Sequence, residues 1–381
     1  MARHISILLI IAVCLLVALG LTMLASTGYF VEDGRGEDYV TLRKQIVALV
    51  IGVMACGFFA LLDYNKLFRW RWHIFAGAAA VLALVLIPGI GVTINGATRW
   101  LGAGAYRLQP SEIAKIALAI CMAAWFATHE TETTKLVRGF VQPGLIVALP
   151  VLLIGCEVDL GNALLAAMIG AGIMFVAGTR IVYLLIVLAG IATSLAAAVL
   201  YTPNRMERII AVYNLEKYKD TWGLQQWVSW MAFGSGGIEG RGLGSGRMKL
   251  SYLPEAHTDF IFPMVGEELG LYGTAGTVLI FLVLVIAGMC ISSYAPNRFG
   301  KLLGFGLTLM LGLEALLNMG VTTALLPNKG LPLPFVSYGG SSLIAAMIAV
   351  GILINIHRQG VHLNRGDLPI IRNNSRWTPQ L

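Results

Sequence analysis

Apolar residues in this chain come in repeated blocks of about 20 residues, and this pattern restricts the fold more than any other feature. A helix needs roughly 20 apolar residues to cross the hydrocarbon core of a bilayer, whereas a soluble core needs no repeated runs of that length. The mean hydropathy of +0.78 agrees with a membrane environment. Transmembrane β-barrels show short alternating segments instead, and the sequence has none. We therefore predict an all-α polytopic membrane protein.

The blocks predict about ten transmembrane helices. Their expected bounds are 5–26, 45–63, 73–92, 112–128, 139–155, 160–178, 181–201, 272–293, 301–326 and 335–356. The first block is longer than the roughly 7–15 apolar residues of a secretory signal, so we expect it to be retained. One connection, residues 202–271 between spans seven and eight, is too polar to span and too long for a turn. We expect one transmembrane domain over residues 1–357 and a C-terminal tail over residues 358–381.

Lys and Arg residues in the short connections predict the orientation of the chain. Thirteen of them fall on the side of the N-terminus and seven on the opposite side, leaving out the long connection. Both termini are therefore expected in the cytoplasm, with the long connection facing outward. This bias accounts for the net charge of +7, so a nucleic-acid partner is not expected. The basic tail predicts a disordered end near anionic lipid, or alternatively a partner-binding segment.

Three polar segments are predicted to meet on the outward side. The first, TINGATRWLGAGAYRLQPSEIAK, carries Arg99, Trp100 and Lys115. The second is the long connection, and the third, LPNKGLPLPFVSYGGSS, carries Lys329 beside a Pro- and Gly-rich re-entry. Non-helical backbone at membrane depth is tolerated only where it is buried in protein or lines a cavity. The third segment has the composition of such a re-entrant stretch.

Two features stand out in the first half of the long connection. WGLQQWVSWMAF predicts a short helix in the membrane interface, where Trp rings prefer to lie. GSGGIEGRGLGSG contains Arg241, and its backbone amides are candidates to cradle a phosphate, although flexible Gly-rich loops without that role are common. The loop lacks the G-x-x-x-x-G-K-[ST] pattern of nucleotide-binding loops, so ATP chemistry is not expected.

The stretch YLPEAHTDFIF places Glu255, His257 and Asp259 immediately before an apolar run. Loss of hydration at the edge of a bilayer raises the pKa of a carboxyl group, which makes Asp259 a candidate general base near neutral pH. Arg99, Lys329 and other cations are available for a diphosphate leaving group. An alternative remains open, in which Asp259 caps the following helix and the cations pair with lipid headgroups. His257 is expected to be a structural hydrogen-bonding group, because no second His or Cys has ligand spacing.

Six long motifs resemble the SEDS proteins (shape, elongation, division and sporulation). They are NGATRW, LQPSEIAK, GSGGIEGRGLGSG, KLSYLPEAHTDFIF, GEELGLYG and GLPLPFVSYGGSS. The resemblance covers essentially all predicted spans in order, and it implies a ten-span fold with a large outward loop between spans seven and eight. It also implies a peptidoglycan glycosyltransferase of the bacterial inner membrane that polymerises lipid II and releases undecaprenyl diphosphate. The implied partners are a class B penicillin-binding protein, which is a transpeptidase, and other divisome membrane proteins.

The resemblance implies roles for individual residues. Asp259 falls on the essential Asp of the HTDF motif, Arg99 and Trp100 on an R-W pair, and Lys329 on the Lys before GLPLPF. The expected substrate- and diphosphate-binding residues are Arg99, Trp100, Lys115, Arg241, Lys329, Glu255, His257 and Glu267. A divalent cation, Mg²⁺ or Mn²⁺, is an open addition to this set.

The chain departs from the family pattern in some places. It has CEVDLG where Q/E-P-D-x-G is usual, although Asp159 and Gly161 remain. The stretch GLGSGRMKLSYLPEAHTDF is more similar to the division branch than to the elongation branch, which usually carries Arg where this chain has Ala256. The resemblance therefore implies a role in septal synthesis, with the elongation role as the alternative.

Two other classes of function stay open at this point. A flippase for lipid II needs ionisable groups deep within spans, and Glu314 in LGLEALLNMG is the plain intramembrane candidate. We expect Glu314 to bind a neighbouring helix or to line a lipid cavity. A non-catalytic scaffold that recruits a transpeptidase through its spans would tolerate the loss of Asp259, whereas an enzyme would not.

Overall fold

The computed structural model of the chain describes residues 2–31, 40–94, 97–102, 107–200, 203–248 and 258–364. Within these ranges it contains twelve α-helices and one two-stranded antiparallel hairpin. The helices are α1 (Ala2–Val31), α2 (Val40–Leu61), α3 (Asn65–Val85), α4 (Pro110–Thr128), α5 (Gln142–Cys156), α6 (Leu160–Ala177), α7 (Ile181–Leu200), α8 (Pro203–Tyr213), α9 (Leu224–Gly236), α10 (Ile261–Ser293), α11 (Arg298–Thr322) and α12 (Gly340–Asn364). The strands are β1 (Gly91–Ile94) and β2 (Ala97–Leu101), and a π-helical turn, Val137–Val141, precedes α5.

Eight of the described helices are long and apolar enough to cross a membrane: α1, α2, α4, α5 with its π-helical turn, α6, α10, α11 and α12. Helices α3 and α7 lie where the third and seventh spans are predicted, and α3 is less apolar because Lys66, Arg69 and Arg71 occupy its first two turns. The predicted class, an all-α polytopic membrane protein, is confirmed. The total of ten spans stays a prediction.

The connection between the third and fourth spans contains a hairpin that the sequence analysis missed. Helix α3 ends at Val85, before the predicted limit of residue 92, and strands β1 and β2 follow. Thr93 is paired with Thr98, and their hydroxyl oxygens lie 2.8 Å apart. The dipeptide Asn95-Gly96 between the strands is a strong hairpin signal that the hydropathy reading overlooked. The hairpin extends the bundle on the side where β2 meets the start of α4.

Much of the long connection is helical. Helix α9 confirms the short helix predicted there, and its buried residues include Val228 and Ala232. The side-chain amide of Gln226 donates hydrogen bonds to the carbonyls of Val321 and Leu326, both at 2.8 Å. These bonds satisfy carbonyls at and beyond the end of α11, which would otherwise be unpaired. Helix α9 is therefore packed on the bundle through one side.

Helix α10 begins at Ile261, eleven residues before the predicted start of the eighth span at residue 272. A helix break at Gly270 separates these additional residues from the predicted span. Gly270 has φ 67° and ψ −159°, values outside the helical region. A Cβ atom at Gly270 would lie 2.4 Å from both the amide nitrogen of Gly240 and the carbonyl oxygen of Ile238. Gly270 therefore lets the Gly-rich loop cross the α10 backbone. A hydropathy window cannot detect this local constraint.

Helix α12 extends to Asn364, seven residues beyond the predicted end of the domain at residue 357. Its last two turns are polar, so their apolar pattern gave no helical signal. Gly360 packs closely here, since a Cβ atom at this position would lie 2.5 Å from the carbonyl oxygen of Tyr294. The tail from residue 365 onward lies outside the described residues.

Helix α4 occupies the centre of the bundle and is buried on nearly all sides, between α3, α5, α6 and α11. Small residues bring other helices together at the periphery. A Cβ atom at Gly351 of α12 would lie 2.5 Å from the carbonyl oxygen of Cys56 in α2, and one at Gly20 of α1 would lie 2.7 Å from the carbonyl oxygen of Phe335. Such close contacts at small residues favour helix packing in membranes, because the hydrophobic effect does not drive helices together in lipid.

Gly270→Ala tests the helix break directly. A Cβ atom there would meet backbone on two sides and the positive φ adds strain, so we expect a loss of roughly 2 kcal/mol or more in the free energy of unfolding. The matched control is Gly276→Ala in the same helix, where a Cβ atom meets nothing within 4 Å and the substitution should be neutral or slightly stabilising. Denaturant unfolding in detergent measures both, and equal stability of the two variants would contradict the crossing at Gly270.

Candidate active site

Polar side chains join four connections at one end of the bundle. The backbone amide of Gln109, before α4, donates to Oγ of Ser341 in α12 at 3.0 Å, and its side-chain amide donates to Asp159, before α6, at 3.2 Å. Nδ2 of Asn318 in α11 donates to the backbone carbonyl of Asp259, before α10, at 2.8 Å. The structure thus brings together the three polar segments that were predicted to share one side.

Asp259 lies directly against the segment that follows α11. A Cβ atom at Gly330 would lie 2.4 Å from Oδ2 of Asp259, so a side chain at position 330 would displace the carboxylate. Asn318 donates to the carbonyl of Leu331 at 2.6 Å as well as to that of Asp259, which fixes both backbones. Lys329 precedes Gly330, so the structure places the segment carrying Lys329 beside Asp259, as expected.

The alternative role for Asp259, as a cap of the following helix, stays a prediction. Helix α10 begins at Ile261 and Phe260 occupies its N-cap position, without a side-chain hydrogen bond to the helix amides. Asp259 lies one residue further out, where its carboxylate faces Gly330. The carboxylate therefore lies against the segment that follows α11, one residue outside the N-cap position.

The segment between α11 and α12 is non-helical and largely buried, as the Pro- and Gly-rich composition predicted. Its backbone is satisfied by side chains, since Oγ of Ser337 accepts from the amide of Leu333 at 2.8 Å. The buried Gln45 of α2 donates to the carbonyl of Ser337 at 3.2 Å and accepts from the amide of Gly339 at 3.2 Å. Phe335 is buried with φ 66°, a strained conformation for an aromatic residue. The protein therefore holds this loop in a defined shape.

Arg99 on β2 is anchored to the turn between α5 and α6. Its Nη2 donates to the carbonyl of Val158 at 2.9 Å, and Nη1 lies 3.7 Å from Oδ2 of Asp159. Asp159 also caps α6 by accepting from the backbone amide of Asn162 at 3.1 Å. The side chain of Arg99 remains 30% exposed, so it keeps a face toward the site. Trp100, its neighbour on β2, is half-buried.

Glu157 is a buried acid in the same turn that the sequence analysis did not identify. Neither of its carboxyl oxygens has a hydrogen-bond partner among the described residues. Burial and the nearby charge of Asp159 raise the pKa of Glu157 to about 8, against the opposing effect of Arg99. Glu157 is therefore mostly protonated at neutral pH and contributes a neutral carboxyl group to this end of the bundle.

The turn that carries Glu157 also explains one departure from the family pattern. Val158 has φ 62°, which is rare for a β-branched residue. A proline ring fixes φ near −65°, so Pro would not fit this conformation. Where the family usually has Pro, this chain has Val158 in a strained conformation, and the carbonyl of Val158 accepts a hydrogen bond from Arg99.

Lys115 is not available to a diphosphate, which corrects the sequence prediction. Its ammonium group is 1% exposed and lies in the interior between α4, α6 and α11. It donates to Glu112 at 2.9 Å and to Oδ1 of Asn162 at 3.0 Å, and it also pairs with Glu314. The expectation that Glu314 binds a neighbouring helix is confirmed. The group formed by Lys115, Glu112, Asn162 and Glu314, called here the buried charge cluster, holds three helices together.

Glu267 is also placed differently from its predicted role as a substrate ligand. Its buried carboxylate accepts from the backbone amides of Arg247 at 2.7 Å and Met248 at 3.2 Å. Glu268 next to it accepts from the amide of Gly244 at 3.0 Å and from the hydroxyl of Ser26 in α1 at 2.7 Å. The two acids therefore hold the Gly-rich loop onto α10 and α1.

These bonds correct the interpretation of the Gly-rich loop as a phosphate cradle. The loop amide of Gly244 already bonds to a carboxylate, and those of Arg241 and Gly242 bond to α10 carbonyls at 3.0 Å. The amides of Arg247 and Met248, directly after the loop, also bond to a carboxylate. The Arg241 side chain is exposed, and its Nε donates to the carbonyl of Ser235 at 3.1 Å. Arg241 is thus the part of the loop that remains a candidate ligand for an anion.

The structure does not test every predicted residue. Glu255 and His257 lie outside the described ranges, so their roles stay predictions. The described part of the chain has no group of three or more His, Cys, Asp or Glu side chains arranged to hold a metal ion. The divalent cation stays a prediction as well.

Comparison with known proteins identifies the family. The cell cycle protein family that comprises FtsW, RodA and SpoVE matches residues 6–362. The chain belongs to this family. A relative from Geobacter metallireducens, named probable peptidoglycan glycosyltransferase FtsW, is 39% identical over 355 residues, which cover 93% of this chain and 94% of the relative. Stage V sporulation protein E of Bacillus subtilis is 38% identical over 360 residues, covering 92% and 96%. The resemblance to SEDS proteins is confirmed.

Solved structures of the family share the fold. One chain, from work described as structural coordination of polymerization and crosslinking by a peptidoglycan synthase complex, superimposes with a TM-score of 0.77 at 29% identity and covers 92% of this chain and 97% of its own length. The rod shape determining protein RodA of Thermus thermophilus gives a TM-score of 0.68 at 29% identity, with coverage of 92% and 96%. The membrane fold described above is therefore that of the family.

Sequence reasoning missed Asn318, Gln45 and Glu157, and for two of them a signal existed. Asn318 lies within the predicted ninth span and Gln45 at the start of the second. A polar side chain in a membrane span is expensive unless it has a partner, so such residues mark functional or organising sites. Glu157 has no comparable signal, because a carboxyl group in a turn is ordinarily solvated.

The buried charge cluster gives a stability prediction. Lys115→Met leaves Glu112 and Glu314 without their cation, so we expect a loss of roughly 3–5 kcal/mol in the free energy of unfolding. Combining Lys115→Met with Glu314→Gln should cost less than the sum of the single changes, because one uncompensated charge is removed with its partner. The control is Lys135→Met, whose pair with Glu132 is 65% exposed on the lysine side and is worth about 1 kcal/mol or less. If the losses in unfolding free energy of the two single variants simply add in the double variant, Lys115 and Glu314 are not energetically coupled.

Glu157 gives a pH prediction. The folded protein binds a proton at Glu157 more tightly than the unfolded chain, because the pKa rises from 4.5 to about 8. This group therefore lowers the stability as the pH rises from about 5 to 8. Glu157→Gln should be more stable than the wild type at pH 8 and should lack this part of the pH dependence. Thermal unfolding at pH 5, 6.5 and 8 measures it, and parallel pH profiles of the two proteins would refute the assignment.

Proposed function

We propose that this chain is a peptidoglycan glycosyltransferase that polymerises lipid II into glycan strands, with a role in septal cell-wall synthesis. The name of the Geobacter metallireducens relative, probable peptidoglycan glycosyltransferase FtsW, supports the activity and the division role. The observation that carries the proposal is the placement of Asp259. Its carboxylate faces Gly330, beside Lys329, at the end of the bundle that also carries Arg99. Asp259, the proposed base, therefore lies at the same end of the bundle as the proposed cations Lys329 and Arg99.

The proposed reaction is an inverting transfer between two lipid-linked saccharides. Asp259 accepts the proton of the 4-hydroxyl group of the acceptor lipid II as that oxygen attacks the anomeric carbon of the donor glycan chain. The new glycosidic bond forms as the bond between the anomeric carbon and the diphosphate oxygen breaks, and undecaprenyl diphosphate leaves with the bonding electrons. Membrane placement suits this chemistry, since the lipid tails of both substrates remain in the bilayer while their headgroups meet at its surface.

Cations at the rim stabilise the leaving diphosphate in this scheme. Lys329 and Arg241 are proposed as its ligands, with Arg99 oriented by its bonds to the α5–α6 turn. Lys115 is not part of the set, because its charge is neutralised inside the buried charge cluster. No step is assigned to a metal ion, and the divalent cation remains an untested addition that would act on the diphosphate.

The rival functions make different demands on the fold. A flippase needs charged groups that can exchange partners along a path through the spans, whereas Lys115, Glu112 and Glu314 of the described spans are paired with one another. A scaffold does not need the strained, side-chain-supported loop that faces Asp259. An elongation polymerase of the RodA type would use the same chemistry, so the division assignment is supported by the name of the Geobacter metallireducens relative and by the motif that contains Ala256.

Partners and location follow as parts of the same proposal. A structural neighbour belongs to a complex described as a peptidoglycan synthase that couples polymerization and crosslinking, which supports a class B penicillin-binding protein as the transpeptidase partner. Lipid II is the proposed substrate, and divisome membrane proteins are proposed neighbours. We place the chain in the bacterial inner membrane with both termini in the cytoplasm, on the asymmetry of Lys and Arg between its connections.

Asp259→Asn is the central test. The variant keeps the size and the backbone contacts of the residue but cannot accept a proton, so we expect glycan-strand synthesis from lipid II to fall by at least 10²-fold. The assay uses the full chain reconstituted in liposomes with its cognate transpeptidase. Asp220→Asn is the matched control, since Asp220 is an exposed carboxylate of the same connection and its loss should leave the rate unchanged.

The outcomes separate the three classes of function. Polymerisation by the wild type and by Asp220→Asn, but not by a folded Asp259→Asn, supports the enzyme and its base. Equal polymerisation by all three proteins would show that Asp259 is not the base. If none polymerises and lipid II crosses the bilayer instead, the chain is a transporter.

A further inference from the structure

An apolar groove lies between four helices of the bundle, and two cations are among its lining residues. Helices α2, α3, α4 and α12 enclose a cavity of about 490 Å³. Its walls are almost entirely aliphatic and aromatic, with Phe59, Ile74, Ile120 and Ile352 among them. Exposed side chains on its rim, such as Trp70, show that the groove opens to the surroundings of the bundle. Those surroundings are lipid in a membrane-spanning fold.

Two basic residues are among those that line the groove. Lys66 and Arg69 lie in the first turns of α3, and both side chains are exposed. Neither side chain forms a salt bridge or hydrogen bond with another described residue. The carboxylate nearest to them in the chain, Asp63, accepts hydrogen bonds from the amide of Asn65 at 2.9 Å and from Gln359 at 2.8 Å. Asp63 also interacts electrostatically with Lys66. The two cations and this carboxylate together leave a net positive charge at the start of α3.

The arrangement matches the two parts of an anionic lipid. We propose that the groove binds one anionic phospholipid of the surrounding bilayer, with its phosphate on Lys66 and Arg69 and an acyl chain between α2, α3, α4 and α12. Trp70 lies beside the cations, and Trp side chains prefer the level of the headgroups. Basic residues next to a membrane-embedded surface attract anionic headgroups. The site is independent of the proposed glycosyltransferase activity.

Charge complementarity favours a phospholipid over a partner helix. A transmembrane helix of another protein would cover the apolar wall but would bring no phosphate to Lys66 and Arg69. The α2–α3 turn lies on the side predicted to face the cytoplasm, so the lipid would come from the cytoplasmic leaflet. A lipid seated there contacts α4, the central helix, and would brace the same helix that carries Lys115 and Glu112.

The test measures which lipid the full chain retains. The protein is placed in nanodiscs containing equal amounts of phosphatidylglycerol and phosphatidylethanolamine, extracted in mild detergent, and examined by native mass spectrometry. We expect the wild type to retain one phosphatidylglycerol. Lys66→Gln combined with Arg69→Gln should weaken that retention by about 30-fold, on the usual contribution of two basic residues at a membrane surface. The control pair is Arg180→Gln with Lys301→Gln, two exposed cations at the same end of the bundle but outside the groove.

A second variant addresses the groove itself. Ala117→Leu adds bulk to the α4 wall and should lower retention of phosphatidylglycerol without changing any charge. If that variant fails to fold, the charge variants decide. Equal retention of both lipids, or an equal loss in the control pair, would overturn the proposal. A second set of nanodiscs also contains undecaprenyl phosphate. Displacement of phosphatidylglycerol by that lipid, with no effect of the charge variants, would assign the groove to an isoprenoid chain and would also overturn the proposal.

Discussion

The side-chain amide of Asn318 is the contact on which the candidate active site most depends. It donates to the carbonyls of Asp259 and Leu331, which belong to segments 72 residues apart in sequence. Both segments are non-helical, so neither can satisfy its own carbonyls through a helical ladder. In a bilayer no water replaces the missing donors. One side chain in the last turns of α11 therefore fixes the backbone of Asp259, the proposed base, and the loop facing it in a single geometry.

The same constraint organises the rest of this end of the bundle. Gln45 supplies both a donor and an acceptor to the loop before α12, and Gln109 links the starts of α4 and α6. Below them, the buried charge cluster closes the polar region, because Lys115 is neutralised by two acids on different helices. Buried charges are tolerated when each has a partner, and removal of one leaves the others exposed to an apolar interior. This buried polar network thus supports the end of the bundle where Arg99 and Asp259 lie.

Sequence reasoning predicted the parts of this structure that follow from hydropathy and long motifs. The helical membrane class, the buried non-helical segment before α12, the α9 helix and the meeting of the three polar segments were all confirmed. It misjudged Lys115 and Glu267, because a charged residue near a span end has the same sequence signature whether it is solvated or internally paired. It also missed the break at Gly270, whose cause is the backbone of a loop 30 residues away in the chain. Such effects arise from tertiary contacts, which a single sequence does not contain.

Strain at the rim connects the fold to the chemistry. Phe335 and Val158 both have positive φ, and each lies next to a residue or segment proposed to act on substrate. Strained backbone persists only where surrounding contacts determine it, and Ser337 with Gln45 on one side and Arg99 with Asp159 on the other provide those contacts. Glu157, neutral beside Arg99, adds no second negative charge that would compete with the proposed diphosphate leaving group for that guanidinium. A cation that is held in place yet not fully neutralised is what a leaving diphosphate requires.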